Sequence, residues 1–157
     1  MKKKKTSIRV SFFLPKIKIM EIRLMTIADY DAVYDLWCQT AGMRLRSNDD
    51  TREGINKFLE RNPTSNFVAV IDGEIVGVML CGMDGRRAYI YHATVKKPLR
   101  GQGIGKALLA KVYEAIRTAG INKNGLLVMS DNEIGKAFWR SQGWEERHDV
   151  DYYSINM

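Results

Sequence analysis

The segment Val95 to Leu109, VKKPLRGQGIGKALL, gathers Arg100, Gly101, Gly103, Gly105 and Lys106 between a β-rich run and an amphipathic helical pattern. A strand, a glycine loop and a helix in that order expose backbone N–H groups at a helix N-terminus, which is the donor set that holds an anion such as phosphate. Glycine suits the loop because a side chain would keep phosphate oxygens away from the main chain. Spacing excludes two common nucleotide motifs. A Walker A loop needs Gly five residues before the Gly-Lys pair and Ser or Thr after it, and Arg100 and Ala107 stand there. A dinucleotide fingerprint would put its third glycine at Lys106 or Leu108, and Ile121-Asn122-Lys123 supplies no acidic ribose ligand.

The pattern that fits is Arg100-x-x-Gly103-x-Gly105 after a strand ending at Val95. It resembles the acyl-CoA-binding signature of the GNAT superfamily of N-acyltransferases. Asn132, Trp139, Gly143 and Trp144 match in spacing that family's second signature, where Asn, Tyr, Gly and Phe occur. The resemblance covers residues 20–157. It implies that Val95 or its neighbour offers an N–H to the reacting carbonyl. It also implies that the main chain of Arg100, Gly101, Gln102, Gly103, Ile104, Gly105 and Lys106 holds the pyrophosphate of acetyl-CoA, and that Asn132 touches the pantetheine arm. Asn132 also reads as a plain helix N-cap, and the two roles are compatible.

Acyl transfer to an amine requires the amine to lose a proton, the carbonyl oxygen to be stabilised and the thiolate to leave. His92 stands three residues before Val95, where members of the family place a proton acceptor, and imidazole is the side chain whose ordinary titration lies closest to neutral pH. The residues leave alternatives open: a bulge in this strand would turn Tyr91 or Tyr89 to the cleft instead, and a partly buried histidine can simply satisfy a hydrogen bond. The family's helix tyrosine, its acid toward the departing thiolate, corresponds to Trp139, whose indole N–H donates a hydrogen bond but does not give up its proton at neutral pH. That departure keeps a rival in play, a non-catalytic acyl-CoA-binding sensor. Arg44 and Arg46 fall in the segment that resembles the family's acceptor wall, where they could hold an acceptor carboxylate or form a solvated basic loop.

These residues need a scaffold, and the periodicity supplies one. A strand at Glu21 to Met25 leads through Thr26-Ile27-Ala28-Asp29, a capping-box-like start, into a helix with Val33, Leu36, Trp37 and Thr40 on one face. A basic joint precedes a second helix of about Asp49 to Arg61. Strands at Phe67 to Ile71, Glu74 to Cys81 and Ala88 to Val95 form a meander whose first turn, Asp72-Gly73, is a tight-hairpin dipeptide. Ile104, Leu108, Val112, Ala115, Ile116 and Ala119 then make a helical stripe closed by Gly120. A strand at Gly125 to Ser130, a short helix from Asn132 to Gly143 and a last strand at Tyr152 to Asn156 complete the order. The expected fold is α/β. Its mixed, mostly antiparallel sheet of six or seven strands is flanked by about four helices, and two parallel strands splay at the cofactor cleft.

With 157 residues, 45% hydrophobic and 27% charged, the chain is ordinary for one soluble domain. The net charge of +7 invites a nucleic-acid reading, but seven bases and no acid lie in residues 1–19, and the remainder carries 18 basic and 18 acidic residues. Residues 1–19 therefore read as a basic extension beside a neutral domain, and no specific nucleic-acid partner is expected. No apolar run is long enough to span a membrane. Cys38 and Cys81 fit neither a disulfide framework nor a metal motif, and His92 and His148 lack ligand partners at useful spacing. Reduced thiols point to the cytoplasm, each cysteine reads as a small buried hydrophobe before it reads as a nucleophile, and a homodimer is compatible with the sequence. The function expected is N-acetylation of a primary amine on a small molecule or peptide by acetyl-CoA.

Overall fold

The computed structural model describes residues 19–46 and 48–157; the basic extension expected over 1–19 falls, but for Ile19, outside them. Five strands form one sheet in the order β1 (Met20–Leu24), β2 (Phe67–Ile71), β3 (Glu74–Met83), β4 (Ala88–Val95) and β5 (Asn124–Leu126). The first four run antiparallel and β5 joins β4 in parallel. Four helices cover the sheet: α1 (Tyr30–Cys38), α2 (Arg52–Arg61), α3 (Ile104–Thr118) and α4 (Glu133–Ser141).

Strand alternation assigns the two faces. Phe67, Ala69, Met79 and Cys81 pack with Ile104, Leu108, Leu109, Val112 and Ile116 of α3 and with Trp139 of α4. Val68, Val78 and Leu80 point the other way, onto Val33, Leu36 and Trp37 of α1 and Ile55 and Leu59 of α2. The capping box forms as the sequence predicts, with Asp29 accepting the Thr26 N–H at 2.8 Å, and it opens a 3₁₀ turn that runs into α1. At the far end of β3, where β2 no longer pairs, three buried polar side chains replace the ladder. Asn66 Oδ1 accepts the Cys81 N–H at 2.9 Å, Asn62 Oδ1 accepts the Met83 N–H at 2.8 Å, and the Ser65 hydroxyl donates to Cys81 O at 2.6 Å.

The sheet is smaller than the expected six or seven strands. The strand expected over Gly125 to Ser130 ends at Leu126, because only Asn124, Gly125 and Leu126 pair with β4 before the chains part. The last strand expected over Tyr152 to Asn156 does not form: those residues have no sheet partner, and Tyr152, Tyr153 and Ile155 are exposed. β-rich composition describes a preference for a half-buried pleated surface, and that preference gives no strand without a neighbour to pair with.

Candidate functional site

Two irregularities in β4 build the site. Ladder pairs run Cys81 with Ile90 and Leu80 with Tyr91, then resume at Val78 with Thr94, so His92 and Ala93 together oppose Met79. This is a β-bulge, and His92 carries its left-handed residue with φ of 48°. The Thr94 hydroxyl donates to His92 O at 3.2 Å and satisfies a carbonyl that the bulge displaces. The second irregularity lies on the opposite edge. β5 accompanies β4 only as far as Ile90, so the edge from Tyr91 to Val95 has no strand partner among the described residues, and a fork opens beside the bulge.

The bulge delivers the His92 imidazole onto the α1 and α2 layer. Its Nε2 lies 2.6 Å from Asp50 Oδ1, and its ring centroid lies 4.7 Å from that of Trp37, which is fully buried. Asp50 is 6% exposed and sits in the joint between α1 and α2. Its Oδ2 accepts the Arg46 N–H at 2.7 Å, and its carbonyl accepts the Tyr30 hydroxyl at 2.8 Å. Sequence reading did not single out Asp50. It lies 42 positions from His92, and no local spacing links the two.

The glycine loop follows β4 directly. Gly101 and Gly103 have φ of 75° and 86°, in the left-handed region, and a Cβ at either would meet nothing within 4 Å. Gly103 is the N-cap of α3, so the N–H groups of Ile104, Gly105 and Lys106 have no acceptor within the helix and face outward at its positive end. The side chain of Ile104 is buried in the core, and Gln102 and Lys106 are exposed. Gly105 has a different reason to be glycine: a Cβ there would approach the Phe138 ring to 3.1 Å, so it sets the fit of α4 against α3. Arg100 turns back, its Nε donating to Val95 O at 2.9 Å and pinning the loop to the end of β4. Two open hollows of about 320 and 620 Å³ lie near the β2–β3 hairpin, and His92 and Tyr91 line neither.

The other predicted residues divide between surface and core. Tyr91 is exposed beside the fork, edge-on to Phe58 with ring centroids 5.8 Å apart. Loss of solvation first, and the neighbouring Tyr89 second, push its phenol above the ordinary value, which keeps it a hydrogen-bond donor at neutral pH. Trp139 is buried, packed between Phe138 and Trp144 with centroids 5.0 and 5.3 Å away. Asn132 caps α4, its Oδ1 accepting the Gly135 N–H at 2.9 Å. Arg44, at φ of 49°, reaches across to Asp131 at 3.2 Å, joining the α1–α2 joint to the loop before α4. Arg46 contributes its backbone to Asp50. Burial pushes the Cys81 thiol up to about 12, which removes it as a nucleophile. Among the described residues no acidic, histidine or cysteine cluster could hold a metal, and no helix is long and apolar enough to cross a membrane.

The family model described as acetyltransferase (GNAT) family matches residues 30–144. An acetyltransferase of Pectobacterium atrosepticum is 35% identical over 116 residues, covering 73% of this chain and 79% of its own. One of Photorhabdus laumondii is 32% identical over 131 residues, covering 82% and 89%. Among solved structures, the PaiA N-acetyltransferase of Thermoplasma acidophilum in complex with coenzyme A superposes with a TM-score of 0.74 at 19% identity, covering 85% of this chain and 93% of that one. An aminoglycoside N-acetyltransferase in complex with CoA gives 0.70 at 19% identity, covering 92% and 100%. At these identities the two structures establish likeness of fold.

Proposed function

The chain belongs to the GNAT family of acetyltransferases, and we propose that it transfers the acetyl group of acetyl-CoA to a primary amine of a small molecule or peptide, with His92 as the base. The observation that carries this reading is the position of His92: a partly exposed imidazole on a bulge, at the point where β4 leaves β5 and a few residues before the glycine loop. The acetyltransferase relatives favour an enzyme over a sensor.

Acetyl-CoA supplies the acyl group as a thioester, with a carbonyl carbon open to attack and a sulfur able to leave with the C–S electron pair. The chain's part is to bind, orient and move a proton. Backbone N–H groups from Gly101 to Lys106, at the positive end of α3, suit the pyrophosphate, and the two left-handed glycines leave the approach open. The unpaired β4 edge near Val95 supplies main-chain donors for the pantetheine arm and the thioester oxygen. Asn132 Oδ1 is engaged in its cap, so its side-chain NH₂ is the group that can donate to the arm. His92 takes the proton that the amine nitrogen sheds as its C–N bond forms. Arg44 can turn to an acceptor carboxylate cheaply, because an exposed ion pair such as that with Asp131 is worth about 1 kcal/mol or less. An exposed Cys38 and a buried Cys81, both free thiols, suit a reducing cytoplasm. Residues 1–19 read as an appendage to this machinery.

The test is to incubate the protein with acetyl-CoA and a panel of amines and to follow release of free thiol. Turnover that falls by roughly 10²–10⁴ in His92→Ala, with CoA affinity retained, is the expected outcome. Tight CoA binding with no turnover on any acceptor would overturn the assignment.

A further inference from the structure

We propose that Asp50 is a positioning residue. Its carboxylate holds His92 as the Nε2–H tautomer, so that Nδ1 is the atom that takes the acceptor's proton, and the joint between α1 and α2 is the device that keeps Asp50 in place. This rests on the reading of His92 as the base.

The tautomer follows from the inventory of donors. An ionised carboxylate only accepts hydrogen bonds, and a neutral imidazole carries one N–H. With Oδ1 2.6 Å from Nε2, a bare Nε2 would set two lone pairs against each other, so the proton sits on Nε2 and Nδ1 carries the lone pair. When Nδ1 takes a proton from the amine nitrogen, the ring becomes an imidazolium already paired with a carboxylate, and no group has to reorganise. Two contacts complete the clamp on the ring. The bulge fixes the His92 backbone, and the buried face of Trp37 fixes the tilt of the ring at 53°.

Asp50 is held as firmly as the ring it holds. Rotating its buried carboxylate away would strip the Arg46 N–H of its acceptor at a partly buried contact. The Tyr30 hydroxyl pins the Asp50 carbonyl, and the Asp50 N–H donates to Arg46 O at 3.3 Å. The joint then presses onto the first turn of α2, where a Cβ on Gly54 would stand 2.3 Å from Asp49 O, so only glycine lets the main chain pack there. Such a dense arrangement around one acid exceeds what starting α2 requires, because Thr51 already caps that helix through the Gly54 N–H at 3.1 Å. It also ties the base to the segment that carries Arg44 and Arg46, so an acceptor that orders the joint orders the base.

The experiment measures the turnover number and the KM for acetyl-CoA of the wild type, His92→Ala and Asp50→Asn, by varying acetyl-CoA at a saturating concentration of whichever primary amine of the panel the wild type acetylates. It also records the imidazole ¹⁵N shifts of His92 with its ring neutral. Expected are a protonated Nε2 and a bare Nδ1 in the wild type, and a turnover number about 10²–10⁴-fold lower in Asp50→Asn with the KM for acetyl-CoA within about twofold. Wild-type turnover in His92→Ala would overturn the base reading itself. A large loss in His92→Ala beside an unchanged rate in Asp50→Asn would leave the base reading standing and overturn the role of Asp50. Should Asp50→Asn fail to fold, the wild-type ¹⁵N spectrum decides alone: a protonated Nδ1 overturns the proposal, and a protonated Nε2 supports it.

Discussion

Replacing Gly103 separates two reasons why glycine stands at a helix start. The residue has φ of 86° and ψ of 1°, and a Cβ would find open space, so a substitution there costs backbone strain and no clash within the protein. An L-residue in the left-handed region costs roughly 1–2 kcal/mol, and a β-branched one is among the worst placed there. Gly103→Val relieves that strain by turning φ negative, which swings the following N–H groups away from the direction in which Ile104, Gly105 and Lys106 present them. CoA affinity should fall at least tenfold, about 1.4 kcal/mol. Gly103→Asn is the informative partner, because asparagine tolerates the left-handed conformation while adding a side chain. If conformation is what the loop needs, Asn should bind CoA roughly tenfold more tightly than Val. If open approach is what matters, both should lose equally. Calorimetric titration with CoA on variants shown by circular dichroism to be folded gives the comparison. Unchanged affinity in folded Gly103→Val would refute the assignment of this loop as the pyrophosphate cradle.

Asn66→Ala removes a side chain that is 1% exposed and leaves the Cys81 N–H and the Asn62 carbonyl without their partner. At roughly 1–3 kcal/mol for each buried group left unpaired, the melting temperature should drop by at least about 4 °C, and calorimetry showing no drop would refute that accounting. Asp29 accepts two hydrogen bonds from Arg23, both at 2.8 Å, and these hold its carboxyl below the ordinary carboxylate range. A carboxyl lowered in the folded state stabilises above its unfolded pKa, near 3.9, and loses that contribution as pH falls through the folded value. Asp29→Asn should therefore melt below the wild type at pH 7, with the gap closing toward pH 3; a gap independent of pH would refute it. Trp139→Phe trims a buried ring packed against Phe138 and Trp144, so turnover should fall no more than about tenfold, ~1.4 kcal/mol of barrier. A collapse of turnover with folding and CoA affinity preserved would give the indole a catalytic role.

The parts of the fold that were legible in the sequence are those whose signal is local. The Asp72-Gly73 hairpin, the capping box at Thr26 and the stripe of α3 each depend on residues within a few positions of one another, and each stands where the pattern puts it. The strand count was not legible, because a strand is completed by a partner. Gly125 to Ser130 and Tyr152 to Asn156 have the composition of strands, yet only Asn124 to Leu126 finds an edge to pair with. The same limit hid the polar stitching of Asn62, Ser65 and Asn66, three residues that read from sequence as no more than the end of a helix and a loop.

The candidate site divides along the same line. Its glycine loop is contiguous, so type and spacing expose it, although spacing does not distinguish the left-handed turn at Gly103 from the close packing of Gly105 against Phe138. Trp139 shows how a matched position can mislead about surroundings: its place in a motif invites a role at the sulfur, while its neighbours make it part of the core. His92 was visible as an imidazole on the strand before the loop, but a bulge decides which way it faces, and a bulge is a mismatch between two strands that neither strand announces. Asp50 was invisible for a stronger reason. It becomes a partner only after α1 and α2 have packed on the sheet, and it is held there by Tyr30 from one helix, by Arg46 from the joint and by the space that Gly54 leaves. With His92 as the proposed base, its setting is a property of the packed layers, so Asp50→Asn in the α1–α2 joint should reach the proton-transfer step while leaving Arg44 and the glycine loop in place.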